Sequence, residues 1–89
     1  MKIFLTRHVI EDKIPRGKLL GWNITKLRIK QTVIKPLWKG ITKQNQETAM
    51  SLMDKRHILR VIFKRENGII IVITVHVARR GTYESTKEN

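Results

Sequence analysis

The sequence predicts a small, basic, single domain of mixed α and β structure, and three observations carry that reading. At 89 residues the chain can bury one modest core and is too short to divide into two. Its second half holds two Ile- and Val-rich runs meeting at Glu66-Asn67-Gly68, the pattern of a β-hairpin. Its first half carries helix signals, with Thr6 and Thr25 placed as N-caps and Pro36 as a stop.

Taken in order, Lys2 to Leu5 reads as a short strand with Ile3 and Leu5 on one face. A helix is expected from about Arg7, with Val9, Ile10 and Ile14 inward, and Pro15 is expected to end or kink it before Gly17 and Leu19-Leu20. Gly21-Trp22-Asn23 breaks the chain. Residues 25–35 are open to two readings. Leu27, Ile29 and Val33 alternate with Arg28, Lys30 and Thr32 as a strand would, whereas Thr25 as cap and Pro36 as stop favour a helix. Pro36 to Lys43 looks like a strand, followed by the polar turn Gln44-Asn45-Gln46. Residues 47–54 could present Ala49, Met50, Leu52 and Met53 on a helix face, but lie between strand-like stretches and are taken as a strand.

The hairpin is expected over His57 to Arg65 and Ile69 to Ala78, and its register carries functional weight. A two-residue Asn67-Gly68 loop pairs Glu66 with Ile69 and mixes polar with apolar residues on both faces. A three-residue loop pairs Arg65 with Ile69 and collects Leu59, Val61 and Phe63 with Ile69, Ile71, Ile73, Val75 and Val77. That segregation favours the three-residue loop. The other face then gathers Arg60, Lys64, Thr74, His76 and Arg80, with Ile58, Ile62, Ile70 and Val72. Gly81 to Asn89 reads as a polar, frayed C-terminal tail, leaving residues 1–80 as the domain.

Nineteen Lys and Arg against seven acids give a net charge of +12, far beyond what solubility requires. Residues 1–43 hold 11 basic and 2 acidic residues and the remainder 8 and 5, so the basic face is expected mainly from the first half. Nucleic acid is the expected partner, with RNA ahead of DNA. A membrane surface would call for a long helix with one cationic and one apolar face, which the sequence lacks. No apolar stretch reaches bilayer length, and Met1-Lys2-Ile3-Phe4-Leu5 meets Arg7 too soon for a signal-peptide core, so a cytoplasmic protein is expected. The absence of cysteine excludes disulfides, zinc thiolates and cysteine nucleophiles. His8, His57 and His76 are scattered without spaced carboxylate partners, so neither a metal nor another cofactor is expected.

Leu5-Thr6-Arg7-His8, Leu59-Arg60-Val61 and Ile73-Thr74-Val75 resemble the motifs of a family of small domains of unknown function. In that family Thr-x-His-Ala opens the first helix, and Arg-Val-Val and Val-Thr-Val close the sheet. It is grouped with the RelE-like and BrnT-like toxins, within the barnase, EndoU, colicin and RelE superfold of metal-independent ribonucleases. Val9 stands where the family has Ala, and the stretch from His8 to Thr25 is longer than its pattern. The resemblance implies an α+β domain of RelE-like type, with a short N-terminal strand and two helices on one face of an antiparallel four- to five-stranded sheet. It also decides residues 25–35 as helix. A toxin-type endoribonuclease, acting on free RNA or on ribosome-bound mRNA and held by an acidic antitoxin protein, is the function it implies; a non-catalytic basic RNA- or DNA-binding module is the alternative.

Metal-independent cleavage lets a ribose 2′-hydroxyl attack the adjacent phosphorus, and so requires a base, an acid and cations for the crowded phosphate. Histidine titrates near neutrality and arginine offers a planar, permanently charged fork. Arg60, Thr74 and His76 are therefore the candidate catalytic residues, joined by His8 through the resemblance. Lys64, Arg79, Arg80 and Tyr83, with Lys26, Arg28 and Lys30, are the candidate nucleic-acid contacts. Each has a plainer alternative. Arg60 and Lys64 could be solvated strand residues, His76 a half-buried sheet residue and Tyr83 a tail residue. Trp22 and Trp38 read as core plugs before stacking platforms, and His57 as a surface residue.

Overall fold

The computed structural model describes residues 2–83. Five strands, β1 (Lys2–Leu5), β2 (Trp38–Ile41), β3 (Glu47–Leu52), β4 (His57–Glu66) and β5 (Ile69–Arg79), form one sheet in the order β1-β5-β4-β3-β2. The last four strands pair antiparallel, while β1 joins the edge of β5 in parallel. The helices pack on one face of the sheet, giving the expected α+β layout.

Thr6 ends β1 and starts the first helix, accepting a hydrogen bond from the Val9 backbone N–H through its hydroxyl. Pro15 neither ends the helix nor stands outside it. Val9–Lys13 is wound as a π turn, with the Ile14 N–H donating to the Val9 carbonyl, and α1 (Ile14–Leu19) continues with Pro15 in its first turn. There proline's missing N–H is tolerated, and the widened turn ahead of it absorbs the interruption. Gly21, at φ +88, closes α1: Gly21 N–H donates to Lys18 and Trp22 N–H to Gly17.

Residues 26–34 are helical (α2, Lys26–Ile34), with the Thr25 hydroxyl accepting from Arg28 N–H at 3.0 Å. Cap and proline thus override the alternating pattern. The buried Thr32 hydroxyl bonds both the Arg28 carbonyl (2.8 Å) and the Ser51 hydroxyl (2.6 Å), fastening α2 to β3.

Leu59, Val61, Phe63, Ile70, Val72 and Val75 form the buried core with Ala49, Ile29, Ile24 and Val9. Ile70 and Val72 stand where Ile69, Ile71 and Ile73 were expected, and the turn explains why. Asn67 and Gly68 both have positive φ, +51 and +76, and make a two-residue loop pairing Glu66 with Ile69. The three-residue loop is therefore wrong. A β-bulge at Ile62/Phe63 then shifts the register by one residue, so that Phe63 faces Val72 but Ile62 faces Thr74. The Asn-Gly turn and the amphipathic far half of the hairpin demand registers one residue apart, and the bulge satisfies both. Leu59 and Val61 consequently still share the core face with Val75 and Val77.

Candidate nucleic-acid interface

Beyond the bulge, the sheet face turned away from the helices carries a cross-strand row, Trp38, Met50, Arg60 and His76, one residue from each of β2 to β5. The neighbouring row is Gly40, Thr48, Ile62 and Thr74. Arg60, Thr74 and His76 therefore share a face as expected, although the loop is one residue shorter; the bulge restores what the loop removes.

The face is not a bare solvated surface, since Thr48, Met50, Ile58 and Ile62 on it are buried. Past β5 the chain turns at Gly81, φ +91, and Tyr83 lies on the sheet. Its ring centroid is 3.9 Å from the Arg60 guanidinium carbon and 5.6 Å from the His76 ring, which it meets edge-on. Residues 81–83 thus form part of the site. The expectation of a frayed tail otherwise falls on residues 84–89, which lie outside the described residues.

Arg60 Nε and His76 Nε2 are buried with no hydrogen-bond partner among the described residues, a costly arrangement for native polar groups. Desolvation, then the positive charges of Arg60 and Lys13, push His76 down to about 4, so its imidazole is neutral at pH 7. Burial also lowers Arg60, with Tyr83 acting in the opposite direction; arginine stays charged at neutrality all the same.

A second cation–π pair lies at the other end of the row, where the Arg80 guanidinium is 5.6 Å from the Trp38 ring centroid. Trp38 is thus not a plug of the helix-side core, in contrast to Trp22, which packs against that core and against His57 at 4.7 Å. His57 is half-buried and pairs with Asp54 at 3.0 Å, more a structural residue than a surface one.

The other candidates are dispersed. Lys64 is on the same face toward the hairpin turn, paired with Glu66 at 3.0 Å. Arg79 ends β5 opposite His57. His8 is half-exposed on the first helix, 3.8 Å from Asp12, and among the described residues no hydrogen bond or ion pair joins it to Arg60 or His76. Lys26, Arg28 and Lys30 belong to α2, which packs on the opposite face of the sheet; Arg28 there donates to the Asn23 carbonyl. Positive charge is thus spread over both sides of the molecule, not collected on one face from the first half. Lys13, beside His76, was not singled out in the sequence, and only the packing of the π turn on β5 brings it there.

Among the described residues no three His, Asp or Glu side chains gather as metal ligands, and no helix is long and apolar enough to cross a membrane. A cavity of about 680 Å³ lies elsewhere, between the C-terminal end of α2 and β2 to β5, lined by Ile34, Ile41, Phe63 and Ile70. No protein-family model, curated protein or solved structure matches the chain.

Proposed function

We propose that this protein binds RNA and cleaves it without a metal, as a ribonuclease toxin of the kind its motifs resemble would, with Arg60, His76 and Tyr83 at the reaction centre. The carrying observation is the Arg60–His76 cross-strand pair, in which two buried nitrogens point at no partner among the described residues beneath an aromatic ring.

The chemistry follows from the charge states. Neutral His76 takes the proton from a ribose 2′-hydroxyl as its oxygen attacks the adjacent phosphorus. Arg60 holds the phosphate oxygens, where negative charge accumulates. The departing 5′-oxygen takes a proton from the Tyr83 hydroxyl, leaving a 2′,3′-cyclic phosphate and a 5′-hydroxyl. Thr74, in the adjacent row, donates to a phosphate oxygen in this reading. A cytoplasmic setting and an acidic antitoxin partner belong to the same proposal, supported by the +12 charge.

The test is incubation of the pure protein with free RNA and with ribosomes, with and without chelator, followed by end-group analysis. Discrete, chelator-resistant cuts ending in cyclic phosphate are expected. Tyr83 stacked over Arg60 also narrows access to the pair, which favours the binding module as second reading. RNA binding without cuts under every condition would establish that module instead.

A further inference from the structure

The row that holds Arg60 and His76 extends beyond any reaction centre. Trp38 lies two strands from Arg60, with Met50 between them. Strands sit about 4.8 Å apart, so the Trp38 and Arg60 positions are separated by roughly 10 Å. Each end carries the same pairing of a guanidinium with a ring, Arg80 with Trp38 and Arg60 with Tyr83. An aromatic face and an arginine plane both stack nucleobases, and the arginine also reaches phosphate. Gly40, next on β2 in the neighbouring row, keeps the surface low beside Trp38: a Cβ there would come within 2.9 Å of the Thr48 hydroxyl oxygen.

The geometry points to a second base-stacking subsite at Trp38 and Arg80, which takes an unpaired nucleobase of the strand whose phosphate lies at Arg60. It rests on the RNA reading above and adds to it the form of the substrate. Bases stacked in a helix follow one another at about 3.4 Å along each strand. Two platforms roughly 10 Å apart cannot both be served by neighbouring bases that remain stacked. Nor does a duplex offer base faces, since these are covered by the adjacent pairs. The site therefore selects single-stranded RNA, with bases splayed apart over the sheet. Lys26, Arg28 and Lys30 of α2, on the far side, attract either form alike.

The experiment compares binding of a short single-stranded RNA and of the same sequence in a duplex, by fluorescence anisotropy, to the parent, Trp38→Ala and Trp38→Phe. Expected is a loss of about 10-fold or more in single-strand affinity for Trp38→Ala, a smaller loss for Trp38→Phe, which keeps a ring, and duplex affinity unchanged in both. In a Trp22→Phe background, where Trp38 is the remaining tryptophan, its emission should be quenched as the single strand binds. This second readout needs no change at Trp38, so it holds even if Trp38→Ala fails to fold. Unquenched emission in a protein that binds RNA overturns the subsite and leaves the RNA reading standing. Equal losses for single strand and duplex overturn it too. If the parent binds neither RNA, the proposed function falls, and the subsite with it.

Discussion

His76 sets the pH behaviour of the site. Its folded-state value is lowered to about 4 from an ordinary 6.5, so below 6.5 the unfolded chain binds the proton that the folded one refuses. Stability therefore falls as pH drops from about 6.5 toward 4 and is unaffected by this group above that window. Denaturant unfolding at several pH values should show this slope in the parent and a flatter one in His76→Asn. Arg60→Ala removes both a charge and part of the cover, and NMR titration should find the His76 value moved up toward 6.5. If His76 is the base, cleavage stays level across neutrality and declines only near its folded value. Arg60→Ala and His76→Ala should each lower cleavage by about 100-fold or more, with the double variant little worse than either, because both act on one transition state. Equal cleavage by folded variants and parent would falsify the catalytic assignment.

The decisive element is the hairpin with its bulge. Bulging leaves the Ile73 carbonyl to accept from the Thr6 hydroxyl at 3.3 Å, the same hydroxyl that caps the first helix. One residue thus ties helix start, bulge and the strand bearing His76 together. Thr6→Ala should cost about 1 to 2 kcal/mol and Thr6→Ser much less, read by thermal or denaturant unfolding. Gly68→Ala places a side chain at φ +76 and should cost about 1 kcal/mol. At this scale the sequence is informative unevenly. Thr25 and Pro36 favour α2 through their own backbone, but the alternating pattern leaves residues 25–35 open, and the Asn67-Gly68 pair marks where the chain turns without fixing the length of the loop. The bulge is illegible because it is a compromise between two distant preferences, neither of which names the residue that yields. Reasoning from segregated faces found Arg60, Thr74 and His76 together, yet through a loop the chain does not use. Trp38 was missed as a site residue because only pairing across four strands brings it into line.

For the whole molecule, the charge of +12 should make RNA affinity fall by orders of magnitude between about 50 and 200 mM salt, as released counterions require. Neutralising Lys26, Arg28 and Lys30 together should weaken binding without altering sequence preference, measured by competition among RNAs, since α2 lies away from the stacking row. The sheet order has another consequence, in time. The β4–β5 hairpin closes through two residues, whereas β1 pairs with β5 across most of the chain, Leu5 beside Val72. Closing so long a loop is entropically costly and comes late. Ile3→Ala and Leu5→Ala should therefore speed unfolding and leave the folding rate nearly unchanged, while Val61→Ala in the hairpin slows folding. Until β1 arrives, β5 has an unpaired edge of isoleucine and valine, so the nascent chain passes through a state prone to pair with its own copies. Late docking of β1 (Lys2–Leu5), rather than global melting, would then govern its tendency to aggregate.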